Sequence, residues 1–308
     1  MSHVRRRRRH ASACLTLAAL CWAGVATGGQ HRLPRLTTEQ WQGDIRFLAA
    51  QIAEHHRDPY HAISKAEFDQ RVGTLTRRVP DADEEEIVVG LQSLAAAIGD
   101  GHTYLAASER YRRYPLQLFW YGTELRVVGA TAAARAALGK RIVAWNGLPV
   151  VEVDERLQAL VPQGESAWYR RDASADLFTQ VEPLAAFGIV PRSGEATLTL
   201  AHDDGTHFHL TIAPDSGQTW IDAAERMPLH RSHADDPFWF TSLPDGKTVY
   251  VNFRSFHQLE RNAARLLAFI RSRHVDKLVI DLRHNGGGNY TEGRKHLLYP
   301  LQFMAVNP

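Results

Sequence analysis

Asn285 is followed by three consecutive glycines, Gly286, Gly287 and Gly288, just after the apolar run Leu278-Val279-Ile280 and the triplet Asp281-Leu282-Arg283. A glycine run between a strand and a helix leaves main-chain N–H groups free to point at an anion. No side chain blocks the approach or strains the turn. Two anions suit such a cradle: a phosphate, or the oxyanion of a tetrahedral acyl intermediate. A dinucleotide fingerprint would need Gly-x-Gly-x-x-Gly with an acid about twenty residues on. Here the glycines are contiguous and no such acid follows them. A tight turn without chemistry is the third reading.

A second constellation is Gly99-Asp100-Gly101-His102-Thr103. The imidazole of His102 titrates near neutral pH and could act as a general base. Equally, it could serve the local backbone while Asp100 and Thr103 turn the chain. The remaining histidines make weaker sites. His207 and His209 share a strand face opposite Phe208 and Leu210, but two ligands without a third do not make a metal centre. His55 and His56 are adjacent and diverge on a helix. No metal and no cofactor is expected. Ser242, Ser255 and Ser272 read as polar surface or loop residues.

These residues need elements to hold them. Thr37 with Gln40, and Ser64 with Glu67, have capping-box spacing ahead of the apolar faces Trp41, Ile45, Leu48, Ile52 and Phe68, Val72, Leu75. Asp83 opens a third helix with Glu84, Glu85 and Glu86 in its first turn, where carboxylates favour the helix dipole. Its face is Ile87, Leu91, Leu94, Ala95 and Ile98, and Gly99 stops it. From about 114 to 213 the pattern is of strands: Leu125–Val128, and Arg141–Trp145 turning at Asn146-Gly147 into Pro149-Val150-Val151. Glu152–Leu160 reads as helix, and Ala196, Leu198, Leu200 pair through Asp204-Gly205 with Phe208, Leu210, Ile212. A five- or six-stranded small barrel with a helix is expected. Residues 161–194 have no assignment beyond an insertion in this unit. At the C-terminus, Val249, Val251 and Phe253 alternate along a strand, and Leu259, Ala263, Leu266, Leu267 and Ile270 form a helix face. Leu278-Val279-Ile280 then suggests a parallel strand buried on both sides. A helix is expected from about Thr291.

Together, residues 99–103, Gly139-Lys140-Arg141-Ile142-Val143-Ala144-Trp145-Asn146-Gly147, and Leu278 to Gly288 stand in the order seen in tail-specific (C-terminal processing) serine proteases, which the chain resembles from about Leu36 onward. The resemblance implies a multi-unit α+β and α/β fold. A helical bundle (36–105) would precede a PDZ-like β unit (114–213), and part of a ClpP/crotonase-like ββα catalytic core (236–308) would follow. It implies that N–H groups of Gly286, Gly287 and Gly288 help form the oxyanion hole. In the tricorn-type branch a His in the first motif is the general base, which maps onto His102, although Gly101 stands where that branch has Ser. The family's nucleophilic Ser lies in a strand-to-helix turn downstream of the glycine-loop helix, and no such turn, nor the Lys or acid that follows it, is present up to Met304-Ala305-Val306-Asn307-Pro308. Loss of the nucleophile alone costs about as much as loss of the whole triad, ~10⁶ in rate. The expectation is therefore a serine-type peptidase whose present residues are inactive alone. The alternative is a non-catalytic peptide-binding protein.

Composition fits this reading. Of 308 residues, 44% are hydrophobic and 23% charged, which suits a folded chain of two or three units rather than a disordered one. Arg5–Arg9 followed by the apolar stretch Ala11–Ala26 reads as a signal peptide over residues 1–26, too short in its apolar part for the ~20 residues of a spanning helix. Its removal takes five arginines away, and the formal net charge goes from +2 to −3. A nucleic-acid or membrane-surface role then loses its support. Cys14 and Cys21 leave as well, and with them any disulfide or thiolate nucleophile. A periplasmic or secreted protein acting on a polypeptide substrate or peptide ligand is expected.

Overall fold

The structure, a computed structural model, describes residues 35–162, 166–215, 219–223, 229–233 and 235–306. The expected signal peptide, residues 1–26, lies outside the described residues. Thr37 caps α1 (Thr38–His55): its Oγ1 accepts from the Gln40 N–H at 3.3 Å, and Gln40 Oε1 accepts from the Thr37 N–H at 2.8 Å. Ser64 caps α2 (Lys65–Arg78), but the box does not close there. Glu67 instead accepts from Arg71 at 2.7 Å, one turn on. Asp83 and Glu86 form a complete capping box at the start of α3 (Glu84–Ala96).

All five apolar residues expected on α3 are buried, and so are Val88, Val89 and Ala96. Ile87, Leu91, Leu94 and Ile98 close a core with Ile45, Ile52 and Phe68. Val88 and Val89 face the other way, into the core of the middle sheet. The helical layer and the sheet layer therefore share α3 as a common wall.

The middle sheet is built from β1 (Leu116–Tyr121), β2 (Glu124–Ala130), β3 (Arg141–Trp145), β4 (Leu148–Pro149), β5 (Ala196–Ala201), β6 (His207–Ile212) and β7 (Ile221–Asp222). Among the described residues its order is β1-β2-β3-β5-β6, with β4 on β3 and β7 on β2. The path is open, with β1 and β6 at its ends, and not the closed barrel suggested by the strand pattern. The turn Asn146-Gly147 carries φ of 48° and 80°, as a two-residue hairpin loop demands. The strand expected over Pro149–Val151 stops at Pro149, whose ring nitrogen has no N–H to extend the ladder. Val150 instead begins α4 (Val150–Leu157), which buries Val153 and Leu157 one turn apart.

Residues 161–194 are not an appendage. They form α5 (Ala167–Leu177) and α6 (Val181–Ala186), and Phe178, Val181 and Leu184 are completely buried beside Trp145 in the sheet's core. Burying one such side chain contributes roughly 1.5–3 kcal/mol, so this segment is integral to the unit. Sequence periodicity misses it because its buried apolar residues fall at the end of α5, at its C-cap and in the six-residue α6, which is too short to show a helical repeat.

The C-terminal unit has its own core. β8 (Phe238–Ser242) pairs antiparallel with β9 (Thr248–Phe253), α7 (Leu259–Arg271) crosses over, and β10 (Lys277–Asp281) returns parallel to β9, giving the order β10-β9-β8. Val249, Val251 and Phe253 meet Leu259, Ala263 and Leu266 beneath the sheet. β10 is an edge strand. Val279 is 43% and Ile280 39% exposed, contrary to the expected burial on both sides. An apolar run records which residues could be covered; the fold decides whether a neighbour covers them. The last helix runs through α8 (Tyr290–Gly293), a π turn at Arg294–Leu298 and α9 (Tyr299–Val306).

Candidate functional site

The glycine loop leaves the carboxyl end of β10, beside the carboxyl end of its parallel neighbour β9, where open α/β sheets place their ligand crevices. Asn285 fixes it there. Its Nδ2 donates to the Phe253 carbonyl at 2.7 Å, and its main-chain N–H donates to the Leu282 carbonyl at 2.9 Å. Its Oδ1 accepts from the Gly287 N–H at 2.8 Å. One of the three expected oxyanion donors is thus already satisfied within the loop. Among the described residues the N–H groups of Gly286 and Gly288 have no hydrogen-bond partner.

The glycines differ in what requires them. At Gly288, φ is +148°, and a Cβ would stand 2.5 Å from Phe256 Cδ2. Gly287 has φ +92°. At Gly286 neither constraint holds, because a Cβ would meet nothing within 4 Å. Steric need within the chain explains the second and third glycines. At the first, neither backbone conformation nor a close neighbour demands glycine.

Below the loop lies a polar network. Asp281, buried at the end of β10, accepts from Tyr250 Oη at 2.7 Å, from Arg283 Nε at 2.9 Å and from the Arg283 N–H at 3.0 Å. The guanidinium of Arg283 is the main reason the Asp281 carboxyl stays well below the usual carboxylate range, against the effect of burial. Asn252 Nδ2 donates to Tyr250 Oη at 3.1 Å and to the His230 carbonyl at 3.3 Å. Arg254 Nη2 donates to the same carbonyl at 2.7 Å and to that of Ser232 at 3.1 Å. His230 is thereby held with its ring 6.0 Å from that of His284 and nearly parallel to it. Burial, and then the nearby Arg283, push the His230 pKa down, which keeps its imidazole neutral over a wider pH range. His284 itself has φ +65°.

The loop opens on a cleft of about 1820 Å³ between the middle sheet and the C-terminal unit. One wall is β1 and α5, with Phe119, Trp120, Tyr121, Trp168 and Arg171; the other is His230, Arg231 and residues 282–286. An ion pair at 2.6 Å between Arg231 and Asp222 links the two sides. Among the described residues no serine lines this cleft. Sequence reasoning missed His230 and Arg171, since neither sits in a recurrent motif and only the tertiary fold brings them to the loop.

His102 stands elsewhere. Its side chain is 99% exposed at the end of the turn after α3, and it does not line the cleft. Its N–H donates to Asp100 Oδ1 at 3.0 Å, while Asp100 Oδ2 accepts from Thr103 Oγ1 at 3.0 Å and lies 3.2 Å from His56 Nε2. These contacts, the His102 N–H first, take the Asp100 pKa down to about 2. His207 and His209 lie on the exposed face of β6, where His209 Nδ1 meets Thr199 Oγ1 at 3.3 Å. Among the described residues no three His, Asp or Glu side chains converge to hold a metal, and no helix is long and apolar enough to cross a membrane.

The fold is shared with solved proteins. Mature CPAF complexed with lactacystin matches with a TM-score of 0.55 at 12% identity, over 80% of this chain and 56% of that one. Mature CPAF alone matches with a TM-score of 0.51 at 12% identity, over 80% and 55%. The chain thus spans little more than half the length of these structures. No curated protein matches the sequence. Residues 247–306, which hold β9, α7, β10, the glycine loop and the helix after it, match the model of Peptidase family S41.

Proposed function

We propose that the chain carries the peptide-docking and oxyanion-binding part of a serine-type peptidase of the tail-specific kind. The observation that carries this reading is the pair of unpartnered N–H groups at Gly286 and Gly288, presented at the end of a parallel strand inside the segment that matches the peptidase family. Each such donor contributes roughly 3–4 kcal/mol when it meets developing negative charge in a water-poor site. The middle sheet with α4–α6 is read as a PDZ-like unit and the C-terminal unit as part of a ClpP/crotonase-like core. Residues 1–26 are read as a signal peptide for a periplasmic or secreted protein.

In this reading the attacking group is a serine, and His102 is proposed as its general base. That no serine lines the cleft among the described residues is the observation behind the second reading, a peptide-binding protein without hydrolysis. Cleavage of fluorescein-labelled casein by the product of the whole gene separates them. The peptidase reading expects cleavage that a fluorophosphonate blocks and that His102→Ala abolishes with peptide binding kept. Peptide binding without cleavage would leave the second reading standing.

A further inference from the structure

Six arginines line the cleft: Arg112, Arg113, Arg126, Arg171, Arg231 and Arg283. Five are neutralised by a carboxylate of the same chain. Arg112 meets Glu182 and Arg113 meets Asp176, each at 2.7 Å. Arg126 meets Glu124 at 2.9 Å, Arg231 meets Asp222 at 2.6 Å, and Arg283 meets Asp281 at 2.5 Å. Arg171, on α5, has no carboxylate partner among the described residues. One of its Nη1 hydrogens is given to the Gly122 carbonyl. Its Cζ lies 5.9 Å from the Trp120 ring and 5.9 Å from the Trp168 ring.

This placement is built rather than incidental. Trp120 Nε1 donates to Ser174 Oγ at 3.2 Å, and Ser174 Oγ donates to the Arg171 carbonyl at 3.0 Å, so the indole and the arginine's helix turn are tied through a fully buried serine. Phe178 backs the same indole at 6.2 Å. Trp168, in contrast, is 69% exposed. The outcome is a half-buried guanidinium, flanked by two indoles that shed water, with most of its donors unused.

We propose that Arg171 is a carboxylate-binding subsite of the cleft, taking either an acidic side chain or the C-terminal carboxylate of a bound peptide. This inference rests on the reading of the cleft as a peptide site. A planar fork of N–H donors matches a carboxylate in two parallel hydrogen bonds. A dianionic phosphate is disfavoured, because Asp172 follows directly on the same helix and the other cleft arginines are already paired. The flanking indoles lower the local dielectric and strengthen the pair. The proposal gives a function to α5, part of the stretch that sequence periodicity left without one.

Fluorescence anisotropy with three fluorescein-labelled decapeptides of Ala, Leu and Ser tests it: one with a free C-terminus, its C-terminal amide, and that amide with one central Glu. The wild type is expected to bind at least one carboxylate peptide about tenfold or more tightly than the neutral amide. Preference for the free C-terminus alone identifies the tail as the source, and preference for the Glu peptide identifies a side chain. Arg171→Gln removes the preference, Arg171→Lys retains part of it, and Trp168→Ala weakens it. Equal binding of all three peptides by the wild type, or an unchanged preference in Arg171→Gln, overturns this subsite alone. Failure of every peptide to bind overturns the peptide reading together with it.

Discussion

Gly288→Ala and Gly286→Ala, two residues apart in one loop, should differ sharply in their cost to the C-terminal unit. At Gly288 the backbone has φ +148°, which an alanine adopts only with strain of about 1–3 kcal/mol. The new Cβ would also stand 2.5 Å from Phe256 Cδ2, 2.7 Å from its Cγ and 3.0 Å from its Cβ. Those last two atoms are the near end of the side chain, so a rotation of the ring does not relieve the overlap. The ring is further confined by Phe253, 4.9 Å away, and by Gly293, where a Cβ would lie 3.0 Å from Phe256 Cε1. Overpacking of this kind costs about 1–3 kcal/mol, and the two terms together give about 2–6 kcal/mol. At Gly286 there is neither a left-handed φ nor an atom within 4 Å of the Cβ, so the change should stay within about 0.5 kcal/mol. Native-state hydrogen exchange of the β9 amides reports on this unit without assuming that the whole chain unfolds in one step. A Gly288→Ala loss below about 0.5 kcal/mol, or an equal loss at Gly286, would refute the steric account of the loop.

Leu266, fully buried between α7 and the C-terminal sheet, should cost about 2–5 kcal/mol when changed to Ala, measured as faster exchange of the same amides. Asp100 gives a pH prediction. Its pKa in the fold, about 2, lies below the ordinary 3.8. Its stabilising contribution is therefore full above about 3.8 and disappears as pH falls through about 2. Asp100→Asn should melt below the wild type at pH 7, and the two melting curves should converge between about pH 3.8 and 2; a constant gap over that range would contradict the contacts to His56, His102 and Thr103. Residues 1–308, expressed alone, should not be labelled by a serine-reactive fluorophosphonate, as judged by in-gel fluorescence, and strong labelling would show a nucleophile beyond those of the described cleft lining.

Much of the fold was legible because its causes are local. The caps at Thr37, Ser64 and Asp83 depend on groups three residues apart, and the sequence displays both partners. The hairpin of β5 and β6, the crossover from β9 through α7 to β10, and the placement of the glycine loop follow from alternation, helical spacing and turn residues in the same way. Where the reading failed, the deciding contact was distant. Pro149 ended a strand because the ladder needed an N–H, α5 and α6 were hidden by a mixed pattern, and the sheet is open because, among the described residues, β1 and β6 do not pair.

The sequence by itself determined that Asn285 and three glycines follow a strand, and that main-chain donors would therefore be presented there. It could not show that Asn285 turns back to occupy Gly287, that Phe256 requires Gly288, or that Gly286 faces open space. It named His102 but could not place it, and its exposed ring lies away from the cleft that Gly286 lines. It gave no sign that Arg171 alone among the cleft arginines lacks an acid among the described residues, since the partners of the other five stand from 2 to 77 residues away along the chain. Periodicity and capping act over a few residues and are written in the chain. Which face is covered, and which charge is left unpaired, depends on side chains that only tertiary packing brings together.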